Sequence, residues 1–271
     1  MLIDNNNVSA HDQMLHSPVV SFLGDSGASK RILVVGNSIT RHAPKADIGW
    51  RGDWGMAASA PEKDYVHRLF ALLEKDGQDV FMRIRQSAEW EVNLRSENIL
   101  DDYDGERAFR ADIVVFRLGE NVAGENKPYF KEKLREFVSH ICPCGKVIFT
   151  TCFWENPVID QAIAEVAGER GEICIDCGFS RDEKNMALGQ FAHTGIAHHP
   201  SDAGMEEIAR AIFACLKNDT YRKRNWKSAC ESFFHVVTGI PPPGQIGSPV
   251  SAGAFGALGN LQKSAWSKNF L

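Results

Sequence analysis

The sequence predicts an α/β protein built on a five-stranded, mostly parallel sheet with helices on both faces. Three observations predict it. Short apolar runs rich in Val, Ile and Phe recur along the chain, as in Ile32-Leu33-Val34-Val35 and Ile113-Val114-Val115-Phe116, and near-continuous runs of this kind are buried on both faces. Several runs stop at a Gly or at small polar residues. Segments with helical spacing or helix-opening signals separate consecutive runs, as in βαβ units.

The first strand covers about 31–36 and ends in Gly36-Asn37-Ser38. Residues 41–58 are then unusually rich in Gly and Trp, in Gly49-Trp50-Arg51-Gly52-Asp53-Trp54-Gly55. A loop this long inside a compact domain reads as functional. Ser59-Ala60-Pro61-Glu62 matches a capping box, so a helix is expected to start there; Gly77 ends it. Val80 to Arg85 is a second strand, partly alternating and so expected nearer an edge. A loop with Trp90 and Glu91 follows, then a weak helix near 95–102. Residues 112–118 form the third strand and end in Gly119-Glu120-Asn121. Asn126 with Pro128 opens a helix to about His140. Residues 145–151 form the fourth strand, and Asn156-Pro157 opens the next helix, to about Ala167. Residues 172–176 form the fifth strand. The run His193 to Gly204 precedes a last helix, with Ser201 or Asp202 as its cap.

The ends of the chain differ from this core. Residues 1–29 are polar and aperiodic, and are expected to be a flexible arm. Residues 30–218 form the expected single domain. Residues 219–271 are first basic and aromatic, then rich in Gly, Ala, Ser and Pro, so they are expected to be partly helical and otherwise flexible.

Composition excludes several classes. Hydrophobic residues are 44% and charged residues 24%, an ordinary soluble balance, and no apolar run reaches membrane-spanning length. A formal net charge of −5 without a long basic stretch argues against a nucleic-acid partner. The first residues carry acid and amide where a leader would carry base and then apolar residues, so a cytoplasmic location is expected. The odd count of 7 Cys fits reduced thiols. Cys142-Pro-Cys144 and Cys174-Ile-Asp-Cys177 have a zinc-like look. The first pair precedes a strand and the second ends one, so the four sulfurs cannot converge on one tetrahedral ion.

Three polar clusters fall at strand ends on one side of the inferred sheet: Ser38, Asn121 and His199. They could supply a nucleophile, an oxyanion donor and a base. Gly36-Asn37-Ser38 resembles the first block of the SGNH (GDSL-type) hydrolases. Gly119-Glu120-Asn121 resembles their G-x-N-D block, and His199-Pro200-Ser201-Asp202-Ala203-Gly204 the end of their D-x-x-H block. The resemblance covers residues 30–217. It implies a flavodoxin-like three-layer α/β/α fold and hydrolysis of a small carboxylic ester. It makes Ser38 the nucleophile, His199 the base, and the Ser38 N–H and Asn121 oxyanion donors. No metal or organic cofactor is implied.

Three departures from the family pattern stand out. The motif Asp is Asn37. The block that usually gives an oxyanion Gly corresponds to about 86–91 and has none. The acid three residues before the His is Ile196. A Ser38–His199 dyad is therefore expected, with a backbone carbonyl from the 195–197 turn or a water in the acid's place; Glu91, Glu120 and Asp182 are the rival acids. Trp50, Trp54, Trp90 and Trp154 all fall in loops near the inferred site. Of these, Trp50 and Trp90, together with Glu91, are the candidate substrate contacts, fitting an acyl group on a carbohydrate. Two other readings compete: a weakened member of the fold that binds a ligand without turning it over, and a flavodoxin-like phosphate or flavin binder. Neither substrate parts nor oligomeric state can be read from the residues.

Overall fold

The computed structural model describes residues 20–143 and 145–217. Within them six strands form one sheet: Val20–Leu23 (β1), Lys30–Gly36 (β2), Val80–Gln86 (β3), Ile113–Arg117 (β4), Lys146–Thr150 (β5) and Ile173–Ile175 (β6). Their order is β1-β3-β2-β4-β5-β6. β1 runs antiparallel to β3, and every other pairing is parallel. Seven α-helices accompany them among the described residues: Tyr65–Lys75 (α1), Ala88–Asn93 (α2), Asp104–Phe109 (α3), Lys127–Ile141 (α4), Pro157–Arg170 (α5), Thr194–Ala197 (α6) and Asp202–Lys217 (α7).

The period-2 geometry of β2 divides the core into two layers. Leu33 and Val35 pack with Val114, Phe116, Val147 and Phe149 against α4 and α5. Ile32 and Val34 pack with Met82, Ile84 and Val115 against α1 and α7. Both faces are thus covered, which is why the central strands read as unbroken apolar runs. Cys142 precedes β5 and Cys177 follows β6, at opposite ends of two parallel neighbours.

The sheet has one strand more than the five expected. The addition is β1, inside the segment read as an arm. Its four residues are flanked by polar sequence and lie on an edge. Phe22 is 48% exposed, yet its ring stacks on Phe81 at 5.4 Å and lies under the Arg83 guanidinium. An edge strand half open to solvent leaves little periodic signal. Residues 1–19 and 218–271, where the remainder of the arm and the C-terminal extension were placed, lie outside the described residues.

Helix α1 also starts later than expected. Its cap is Asp64, whose carboxylate accepts from His67 N at 2.8 Å. Residues Pro61–Lys63 form a single 3-10 turn. Ser59 instead donates its N–H and hydroxyl to Asp202 at 2.8 and 2.6 Å, tying the loop to the start of α7. The cap of α7 is Ser201, whose Oγ accepts from Gly204 N. Asn126 does not cap α4 with its side chain; its amide donates to Val92 O. The weak helix expected near 95–102 is displaced to α3.

The chain leaves β2 for β3 on one side, then crosses to β4 on the other. The carboxyl end of β2 is therefore a topological switch point, the usual place for a site in an open α/β sheet. No helix of the described residues is long and apolar enough to cross a membrane.

Candidate active site

The chain turns sharply as it leaves β2. Thr40 N and Arg41 N both donate to Asn37 O, at 2.9 and 3.1 Å, which leaves Ser38 at the corner. Only Gly fits at position 36: a Cβ there would meet Thr40 Oγ1 at 1.8 Å. Ser38 O accepts from Met56 N, and no described residue accepts from the Ser38 N–H.

Ser38 Oγ lies 2.9 Å from His199 Nε2. The other ring nitrogen, Nδ1, donates to Gly195 O at 2.7 Å. That bond places the proton on Nδ1 and leaves the Nε2 lone pair to face the serine hydroxyl. Of the neighbouring histidines, His193 caps α6 by accepting from Ile196 N, and His198 donates to Thr194 O on the exposed side. Burial above all, with His42, Arg117 and His193 adding to it and the Gly195 carbonyl opposing, holds the His199 imidazole down at about 3. The shift favours the neutral ring, in which Nε2 can accept a proton.

None of the rival acids reaches His199. Asp182 accepts from the Lys184 backbone and side chain. Glu120 pairs with Arg117 Nη2 at 2.6 Å and accepts from Phe153 N and Asn37 Nδ2. Glu91 accepts from Gly119 N, Asn121 N, Asn121 Nδ2 and Asn37 Nδ2. Position 196 carries an apolar side chain turned away from any acid role. Ile196 is 1% exposed and packs with Ile48, Trp50, Met56, Ala57 and Ala187.

Beneath Ser38 lies a buried polar cluster that joins the first two motif blocks. Asn37 sits between two carboxylates and gives its amide hydrogens to Glu120 Oε2 at 2.6 Å and Glu91 Oε1 at 3.3 Å. Its Oδ1 accepts from Ile39 N and Arg117 Nη1. An amide can donate and accept at once; a carboxylate could only accept. Asn at position 37 can therefore donate to both glutamates while it accepts from Ile39 N and Arg117, which Asp could not do. Glu91 holds Asn121 by both its N–H and its side-chain amide, while the second amide hydrogen remains for another acceptor. Gly119 is held at φ +142°, and a Cβ there would meet Ile159 Cγ2 at 2.6 Å. Just beyond β3, Ser87 N donates to Gly36 O.

Three expected substrate contacts need correction. Trp90 is 1% exposed and stacks among Phe116, Phe130 and Phe137 in the core. Glu91 is fully buried and its oxygens are filled by the N–H donors named above. Trp50 is 3% exposed, with Nε1 donating to His42 O and its ring edge-on to Trp54. The Trp-rich loop carries its own small core, and that core includes Ile196 next to the His199 carbonyl partner. Trp50 therefore holds the histidine turn and offers no face to a substrate. Trp50→Ala is expected to destabilise the fold by about 3–5 kcal/mol, measured by urea unfolding. A loss confined to KM, at unchanged stability, would contradict this placement.

The tryptophan that does meet the site is Trp154, in the loop after β5. Its ring is edge-on to His199 at 5.1 Å, and Nε1 donates to His198 O. Sequence reasoning grouped it with the other loop tryptophans but could not single it out. It named the 195–197 turn as a source of a carbonyl for the histidine without fixing the residue, which here is Gly195, and it missed Arg117, because a buried strand-end Arg carries no motif.

No family model matches the sequence, and no curated protein matches it. Similar solved structures include an acetylxylan esterase from Geobacillus stearothermophilus, at 20% identity and TM-score 0.49 over 73% of this chain and 99% of that one. Another is an active-site mutant of a family two carbohydrate esterase from Clostridium thermocellum, at 15% identity and TM-score 0.49 over 71% of this chain and 64% of that one. A third is a member of the lipolytic G-D-S-L family from Veillonella parvula, at 14% identity and TM-score 0.44 over 69% of this chain and 97% of that one.

Proposed function

We propose that this chain is a serine ester hydrolase that works through a Ser38–His199 dyad. The observation that carries the reading is the relay Ser38 Oγ to His199 Nε2, with Nδ1 anchored on Gly195 O. In the proposed reaction Nε2 takes the hydroxyl proton as Oγ attacks the ester carbonyl. The Ser38 N–H and the free Asn121 amide hydrogen receive the oxyanion. The imidazolium returns its proton to the departing alkoxide, which leaves an acyl group on Ser38. Water, activated by the same nitrogen, then releases the acid.

The dyad sets the scope. A neutral carbonyl on Nδ1 stabilises imidazolium less than a carboxylate does, and His199 is already a weak base. Turnover is therefore modest, and small acyl groups on good leaving alcohols are favoured. An acyl group on a carbohydrate fits the small-acyl part of this reading. The missing carboxylate also favours a second reading, ligand binding without turnover. A phosphate or flavin reading fits less well: the loop after β2 rests on Glu91 and Glu120, and buried negative charge opposes an anion.

The test is a panel of chromogenic esters of increasing acyl length, with acetylated sugars. The hydrolase reading expects release that falls as the acyl chain lengthens. Saturable binding without release of acid would support the second reading instead.

A further inference from the structure

Glu91 is spoken for by neither the dyad nor the substrate, yet the fold keeps a fully buried carboxylate there. Four N–H groups converge on its two oxygens, from Gly119 N, Asn121 N, Asn37 Nδ2 and Asn121 Nδ2. We propose that Glu91 is a positioning residue for the oxyanion amide: it takes one hydrogen of Asn121 Nδ2 and so aims the other at the reacting oxygen. This rests on the ester-hydrolase reading of the site.

The chemistry of the donors explains why the group is a carboxylate. Every neighbour in contact donates, so the residue must accept on both oxygens. A glutamine offers one acceptor oxygen, and its NH2 would face an N–H wherever it points. The charge is kept against resistance. Burial pushes the Glu91 carboxyl up out of the usual glutamate range, toward neutrality, and Glu120 raises it further. The charged groups around it are Glu120, from the loop after β4, and Arg117, from the end of β4, which pairs with Glu120 at 2.6 Å. When Glu91 takes a proton, one oxygen becomes a donor facing donors, and the hold on Asn121 loosens. Activity should therefore fall as pH falls through the neutral range. His199, held low by burial, is expected to titrate below that limb.

The test uses the full chain and the ester the wild type hydrolyses fastest, from about pH 5 to 9. Glu91→Gln is expected to lower kcat at pH 8 by about ten- to a hundredfold, with KM within about threefold, and to flatten the acid limb. Asn121→Ala should absorb the effect: in that background Glu91→Gln should cost less than about threefold. Wild-type kcat with the limb intact, or losses that multiply fully, would overturn the proposal. A second measurement uses no substrate and no folded Gln variant. The side-chain amide resonances of 15N-Asn-labelled wild type are followed with pH, with Asn121 assigned by its loss in Asn121→Ala. The Asn121 amide should shift through the neutral range; a flat trace overturns the proposal. If the wild type hydrolyses no ester, or Ser38→Ala hydrolyses as fast, the hydrolase reading fails, while the amide titration still decides whether Glu91 holds Asn121.

Discussion

Ser38→Ala is expected to lower ester turnover by about a thousandfold or more, to whatever the oxyanion donors and binding alone provide. The hydroxyl sits at a turn beyond β2, outside both core layers. Its loss leaves one histidine nitrogen without its partner and costs about 1 kcal/mol. That corresponds to a melting-temperature shift of a few degrees. Steady-state kinetics beside a thermal melt separate the two effects. A variant that keeps wild-type turnover on the preferred ester removes Ser38 from the chemistry.

Asn37→Asp would bring Gly36-Asn37-Ser38 to the G-D-S sequence it resembles, and is expected to damage this protein. Asn37 donates to both Glu91 and Glu120, and Asp would place a third carboxylate between them with Arg117 as the counter-charge in contact. Losing two donors and gaining a crowded buried acid is expected to cost about 2–4 kcal/mol. The sign of the pH dependence follows from the direction of the shift. The new carboxyl would have a raised folded pKa, so it binds its proton more tightly in the folded state than in the unfolded one. Its penalty is complete above the folded pKa and is relieved as pH falls toward the unfolded value. Urea unfolding at pH 8 and pH 5 should show the larger deficit at pH 8. Equal stability to wild type at pH 8 would contradict the arrangement of charges described for this cluster.

The fold was legible where burial is two-sided. β2, β4 and β5 are continuous apolar runs that end at the sheet's carboxyl edge, so their positions and direction could be read residue by residue. β1 was not legible, because Val20–Leu23 is a short edge strand flanked by polar sequence, with Phe22 half exposed even as its ring stacks on Phe81. The start of α1 was misread because Ser59 and Glu62 have capping-box spacing, while the Asp64 carboxylate wins the N-terminal N–H groups. Ser38, Asn121 and His199 could be picked out, since each sits in a short motif beyond a strand or before a helix. The tryptophans could not be sorted. The stretch read as a loop around Trp90 is helix α2, which turns that ring into the core; in the loops themselves position says nothing about which way a ring turns, and Trp50 turns inward while Trp154 meets His199. Glu91 was misjudged for a related reason. A glutamate in a loop-like stretch reads as exposed, and only the four N–H groups around it show why it is buried.

The most direct measurement is of the covalent intermediate itself. The protein is mixed with an activated short-chain ester, quenched in acid within the first turnovers, and digested for peptide mass analysis. The expected result is one acyl group on the peptide containing Ser38, absent in Ser38→Ala and strongly reduced in His199→Ala. Steady ester hydrolysis with no acyl group on Ser38, or with the acyl group on another residue whose replacement stops turnover, would contradict the Ser38–His199 dyad.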